Sequence, residues 1–236
     1  ERPDIDEIYM TAVQIMTGSG GWPMSVWLTP ELKPFYGGTY YPPEDNYGRP
    51  GFKTVLNSIA QAWKDRRLDV NKSADQLTQH VKQSTSARAG EPGELSYELV
   101  KDAVDELSAS YDHSFGGFGG APKFPSAPSI ALCLRHYYNT GYKIALEMAT
   151  FTLTRMYFGG MYDHLGGGFH RYSVDAQWLV PHFEKMLYDN AQLAPVYLEA
   201  YQATSDPLFA RAAREIFDYE LRDMQDANGA FYSTED

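Results

Sequence analysis

Cysteine is nearly absent: Cys133 stands alone in 236 residues. A disulfide framework and an internal dithiol are therefore both excluded. Positive charge is also short. Lys and Arg number 20 against 31 Asp and Glu, a formal charge of −11. Nucleic acid and anionic membrane surfaces are read by basic patches, so neither is an expected partner. No apolar run approaches the ~18 residues of a membrane span, and no signal-peptide pattern is visible. No HExxH or comparable ligand spacing occurs, so no metal is expected, and no cofactor is called for. The chain opens mid-phrase at Glu1 and reads as a piece of a longer protein. The remainder of the parent chain is then an expected partner, and the compartment stays open, with the cytoplasm favoured.

Aromatic residues are plentiful, at 14% with 18 tyrosines. They point either to a large aromatic core or to a groove that stacks flat ligands or sugars. The opening segment carries Ile5, Ile8, Tyr9, Ala12, Val13 and Met16 at gaps of three and four, the apolar face of a helix. Glycines follow, then Trp22-Pro23 and a short strand, Met24 to Leu28. A turn at Glu31 to Lys33 leads to a second strand, Phe35 to Tyr41, so the two should form an antiparallel hairpin. Phe52, Val55, Leu56, Ile59 and Trp63 mark an amphipathic helix. A polar helix is expected over Val70 to Lys82. Helix, X-Pro, strand, turn, strand, helix is the order of the C-terminal part of a thioredoxin-like domain, and Pro23 stands where that fold has a cis proline. Residues 1–83 are read as this domain and 84–96, rich in Gly, Ser, Pro and charge, as a linker.

From residue 97 onward the period is helical throughout. One phrase recurs between the helices: YDHSFGGFGGAPKFP from Tyr111, YDHLGGGFHRYS from Tyr162 and QDANGAFYSTED from Gln225. An Asp is followed by glycine and then by Phe118, Phe169 or Phe231. The spacing matches one helical hairpin plus its loops, the mark of a repeat architecture. Hairpins with such a loop at one end suggest an α/α toroid for 97–236. A further helix is expected to start at Pro181, with Pro in its first turn.

The phrases ERPDID, GGWPMSVWLTP with GGTYYPPED, GGFGGAPKFP and LGGGFHRYSVDAQWLVPHFEKMLYDNAQL resemble a known family, the thioredoxin-domain proteins of the spermatogenesis-associated protein 20 type. The resemblance spans nearly the whole chain. It implies an incomplete α/β thioredoxin-like part followed by an incomplete all-α toroid, similar to six-hairpin glycosidases and N-acylglucosamine 2-epimerases. It also implies a Cys-x-x-Cys segment upstream of ERPDID, which these residues lack.

The richest stretch is Asp163 to Asp189, a glycine-led loop dense in groups that titrate and stack; such loops carry function more often than packed elements do. His170, Asp175, His182 and Glu184 are the candidate catalytic residues. On the helix expected from Pro181, His182 would sit at an N-terminus that disfavours imidazolium, making it a candidate general base. Residues 182 and 184 would not share a face of that helix, so Asp175 or His170 is its expected partner. Lys185 with Asp189 reads as a surface or inter-helix pair. Candidate ligand contacts are Arg171, Tyr172, Trp178, Tyr188 and Lys123. Two roles are open to Trp178 and Tyr172: stacking on a sugar ring, or plugging the loop against its neighbours. Epimerases of the resembling class use paired histidines to move a proton next to a carbonyl. Inverting glycosidases use two separated carboxylates, for which Asp163, Asp175 and Glu184 are candidates. Carbohydrate is thus the expected ligand, with epimerase- or hydrolase-like chemistry. The alternative is a thiol-disulfide redox protein or chaperone acting through the upstream dithiol, with the toroid as a binding scaffold.

Overall fold

The first helix, α1 (Pro3–Thr17), begins with a proline whose missing N–H costs nothing in the first turn. It ends at Gly18, whose left-handed backbone lets its N–H reach the Gln14 carbonyl. The computed structural model describes residues 2–46, 48–86 and 96–236. The chain divides into two units, Glu1–Gly93 and Glu94–Asp236. The expected linker, 84–96, lies for the most part outside the described residues; its first two residues end a helix.

In the first unit the Trp22–Pro23 peptide bond is cis. β1 (Ser25–Leu28) and β2 (Pro34–Gly38) form an antiparallel pair with Trp27 opposite Tyr36. The connecting turn closes through the Thr29 N–H to the Lys33 carbonyl, 2.9 Å. β2 is shorter than the expected Phe35–Tyr41. α2 (Phe52–Asp65) and α3 (Arg67–Thr85) follow, and α3 runs longer at both ends than the expected polar helix. α1 and α3 both contact β2 and one another, burying Ala12, Leu77 and Val81. Trp27, Tyr36, Tyr41 and Phe52 gather as a separate aromatic group. The fold class of this unit is thioredoxin-like α/β.

The second unit is built from α4 (Glu98–Ala109), α5 (Ala127–Thr140), α6 (Lys143–Phe158), α7 (Leu187–Thr204) and α8 (Pro207–Tyr219), the last running into a π-helical turn, Glu220–Met224. Two-residue turns close α5–α6 and α7–α8. Gly141 at φ +74° supplies the first, and Asp206, which accepts from the Leu208 N–H at 2.9 Å, the second. Such short turns make each pair antiparallel. The three long connections, after α4, α6 and α8, therefore gather at one end. α5 and α7 lie side by side, and one core runs through the unit, including Ile130, Met148, Leu153, Phe169, Leu193 and Tyr197. This is the α/α toroid type of helical hairpin. Among the described residues no helix is long and apolar enough to cross a membrane.

One expected helix, over Pro181 to Tyr201, is present but starts later. Residues 181–186 are not the start of a helix; they form β4 (Pro181–His182) and β5 (Lys185–Met186), and α7 begins at Leu187. β3 (Tyr172–Ser173) pairs with β4, and β6 (Thr234–Glu235) pairs with β5. Non-local backbone partners on both sides outcompete the intrahelical bonds that a proline in the first turn would otherwise favour.

Candidate active site

The three recurring phrases fold alike. In each, the residue before the Asp bridges to the Phe: Tyr111 to Phe118, Tyr162 to Phe169, Gln225 to Phe231. In each, the Asp caps its own loop. Asp112 Oδ1 accepts the N–H groups of Ser114 and Phe115, Asp163 Oδ1 those of Leu165 and Gly166, and Asp226 Oδ1 those of Asn228 and Ala230. The first two loops also hold a buried lysine. Lys123 Nζ donates to Asp112 Oδ2 at 2.6 Å, to the Gly116 carbonyl at 2.9 Å and to the Ala176 carbonyl at 2.9 Å. Lys185 Nζ donates to Asp163 Oδ2 at 2.8 Å and to the Gly167 carbonyl at 3.0 Å. Burial opposes ionisation of Asp163, but the Gly166 N–H, the Lys185 ammonium and the Leu165 N–H outweigh it and hold the carboxyl low. Burial likewise opposes ionisation of Asp112, and Lys123 with two N–H groups overrides it.

These clamped loops meet in a small sheet. A bridge joins Lys123 to Ser173, and β3 pairs Ser173 with Pro181 and Tyr172 with His182. Side chains alternate across extended backbone. Lys123, Ser173 and Pro181 face inward and are buried. Phe124, Tyr172 and His182 therefore share the wet face. Their rings form a ladder, Phe124 to Tyr172 at 4.9 Å and Tyr172 to His182 at 4.7 Å between centroids.

Glu184 lies two residues beyond His182, on the same side of the extended segment. Its Oε1 is 3.5 Å from His182 Nδ1. Arg171 Nη1 donates to both Glu184 oxygens, at 3.1 and 3.2 Å, and the Arg171 N–H bonds the Glu184 carbonyl at 2.9 Å. The expectation that 182 and 184 face apart, and that His182 turns to Asp175 or His170, is corrected: a two-residue period replaces the helical one. Tyr188 and Asp189 follow on the first turn of α7. Tyr188 is half exposed, and both it and Glu184 act on the charge of Arg171.

Several candidates lie elsewhere in the loop architecture. Trp178 is fully buried, and its indole N–H donates to the Phe115 carbonyl at 2.9 Å. It plugs the space above Gly117, where an added Cβ would come within 2.5 Å of its ring. It offers no face to a sugar. Lys123, also fully buried, has its ammonium taken by three oxygens and is not a ligand contact. The carboxylate of Asp175 accepts the N–H groups of Gln177, Leu179 and Val180; it shapes the β3–β4 turn. Lys185 pairs with Asp163, not with Asp189. His170 is 8% exposed, edge-on to Phe183 at 5.4 Å. Burial first, then the Lys185 charge, pushes it below the ordinary histidine range. Among the described residues no three His, Cys, Asp or Glu side chains converge as metal ligands.

Two residues of this region carry no expectation from the sequence, Phe124 and Asn190. Asn190 is fully buried and mimics a strand partner, accepting from the Phe169 N–H at 2.7 Å and donating to its carbonyl at 3.0 Å. Phe124 follows Lys123 in GGAPKFP, and only the sheet pairing shows that it shares a face with Tyr172.

Residues 1–82 match the family model Thioredox_DsbH, described as a protein of unknown function, DUF255. The whole chain is 43% identical, over 244 residues, to spermatogenesis-associated protein 20 of Rattus norvegicus, covering 100% of this chain and 31% of that protein. This chain is a relative of spermatogenesis-associated protein 20. The Homo sapiens protein is equally similar, 43% over the same share of each chain. An uncharacterized protein of Caenorhabditis elegans is 39% identical over 100% of this chain and 33% of its own. The chain thus spans about a third of the length of these relatives. Two solved structures share the fold. A sugar epimerase from a ruminal bacterium matches with a TM-score of 0.54 at 16% identity, covering 60% of this chain and 40% of that one. Cellobiose 2-epimerase from Bacillus thermoamylovorans B4167 matches with a TM-score of 0.51 at 15% identity, covering 60% and 42%.

Proposed function

We propose that the wet face around Phe124, Tyr172 and His182 binds a carbohydrate and moves a proton at the carbon next to its carbonyl, as sugar epimerases do. The observation that carries this reading is the His182–Glu184 contact. A carboxylate 3.5 Å from Nδ1 favours the tautomer with the proton on that nitrogen. Nε2 is then left as the acceptor, on an imidazole that is half exposed and stacked on Tyr172. Arg171 holds Glu184 in place, so the carboxylate orients the base and does not act as the base itself. Flat rings beside polar groups suit the apolar face of a pyranose. The fold shared with the two epimerases supports the ligand class. Hydrolysis by two separated carboxylates has less support, because Asp163 and Asp175 are both engaged by their own loops.

The test is incubation of the chain with cellobiose, glucose or mannose in D2O, followed by NMR of the carbon-bound proton at position 2. Deuterium incorporation that falls at least 100-fold in His182→Ala, with the circular dichroism spectrum unchanged, is the expected result. No incorporation and no binding of any of the three sugars overturns the reading. Release of glucose from cellobiose without deuterium incorporation replaces it with the hydrolase reading.

The match of residues 1–82 to a thioredoxin-type model favours a second reading, thiol–disulfide exchange with the second unit as a scaffold. Cys133 does not serve it: the thiol is buried, and burial pushes it up to about 11. A dithiol would have to come from segments outside these 236 residues. A full-length relative that reduces insulin disulfides and leaves all three sugars untouched would support it.

A further inference from the structure

The lysines that close the first two Asp–Gly–Phe loops arrive in the same way. Lys123 stands on extended backbone bridged to Ser173, four residues past Phe169 of the second loop. Lys185 stands on β5 opposite Glu235, four residues past Phe231 of the third loop. From these places each ammonium reaches back to the loop before it. There it takes the second carboxylate oxygen and one glycine carbonyl, Asp112 Oδ2 with Gly116 and Asp163 Oδ2 with Gly167. A ring from farther along the chain covers it: Trp178 lies 5.4 Å from Lys123 Nζ, and Tyr219 lies 4.4 Å from Lys185 Nζ.

The third loop has the same frame. The Asp226 N–H bonds the Ala230 carbonyl, as Asp112 bonds Gly117 and Asp163 bonds Gly168. The Gly229 N–H returns to the Asp226 carbonyl, as Gly116 does to Asp112 and Gly167 to Asp163. Gly229 therefore matches Gly116 and Gly167, and all three have left-handed backbone. Asp226 Oδ1 is filled by the N–H groups of Asn228 and Ala230. Its Oδ2 receives no hydrogen bond and no ion pair from any described residue. The Gly229 carbonyl receives only a long contact, 3.4 Å, from Gln225 Nε2.

We propose that Asp226 Oδ2 and the Gly229 carbonyl form the socket of a third lysine, carried on an extended segment of the parent chain outside these 236 residues. The chain spans about a third of the length of its relatives, so there is ample sequence to supply one. By the pattern of the first two clamps, the lysine follows the third loop, and its strand pairs four residues past the phenylalanine of the next one. An ammonium donates in three directions from one atom, which suits a carboxylate oxygen and a carbonyl of a single tight loop. A guanidinium spreads its donors in a plane and suits it less. The sugar reading is not needed for this socket.

Two measurements test it. Asn at position 226 keeps the oxygen that caps the loop and removes the charge. In the parent chain, native-state reductive methylation read by mass spectrometry should spare Lys123, Lys185 and one lysine outside these 236 residues. Asp226→Asn should speed methylation of that outside lysine at least tenfold and leave Lys123 and Lys185 within twofold. Asp112→Asn is the control and should expose Lys123 alone. Asp226→Ser, which also caps without charge, gives the same readout should the Asn variant fail to fold. The second measurement needs no variant. Hydrogen exchange of the amides over 225–232 should be at least tenfold slower in the parent than in the 236-residue chain. Equal exchange in the two chains, or no outside lysine that responds to the loss of the Asp226 charge, overturns the socket.

Discussion

Replacing Lys123 by Met removes an ammonium with no exposed surface and keeps most of the side-chain volume against Trp178, whose ring centre lies 5.4 Å from Nζ. Three oxygens lose their donor: Asp112 Oδ2 and the carbonyls of Gly116 and Ala176. Breaking a buried ion pair from one side costs about 3–5 kcal/mol. The Asp112 side chain is 22% exposed and keeps two backbone N–H groups, which places its share at the low end of that range. The two carbonyls add about 1 kcal/mol each. A total loss of roughly 5 kcal/mol is expected for the second unit. Trp178 is its one tryptophan, so urea unfolding followed by fluorescence, with Trp22, Trp27 and Trp63 changed to Phe, reads that unit alone. Lys123→Met combined with Asp112→Asn should recover at least about 1 kcal/mol, because no uncompensated carboxylate then remains. The gap between wild type and Lys123→Met should be widest above the ordinary carboxylate range. It should shrink as pH falls through the depressed native value of Asp112, since a lowered carboxyl contributes stability only while ionised. A loss below about 1 kcal/mol, or no recovery in the double variant, refutes the clamp.

Asn190→Leu fits the same space but leaves the Phe169 N–H and carbonyl buried without their side-chain partner; a loss of roughly 2–4 kcal/mol is expected in the same fluorescence assay. Asp189→Asn should act in the opposite sense at neutral pH. A raised native carboxyl favours the fold below the unfolded value and loses that advantage as pH rises through about 6. Stability of the wild type should therefore fall by up to roughly 3 kcal/mol between pH 4 and pH 7 relative to the Asn variant, and parallel urea midpoints across that range would argue against a proton on Asp189.

The Asp–Gly–Phe phrase was legible because its chemistry is local. An aspartate that caps the N–H groups two to four residues ahead, and glycines at positive φ, act within one loop wherever the chain places it. The lysine that completes each clamp was not legible. Lys123 follows Asp112 by 11 residues and Lys185 follows Asp163 by 22, so no fixed spacing betrays the shared role. Trp178 reads equally well as a stacking platform or a plug. Only the space above Gly117 and the Phe115 carbonyl decide for the plug.

Local order along the chain determined the hairpins, their two-residue turns, the cis-proline strand pair and the gathering of three loops at one end, because each depends on side-chain period and turn chemistry within about 20 residues. The segment 181–186 was decided by tertiary structure. Its proline and polar run suit a helix, yet Tyr172 and Thr234 offer backbone partners that hold it extended. That change of period, from nearly four residues to two, turns His182 and Glu184 to the same side and creates the only close imidazole–carboxylate contact among the described residues.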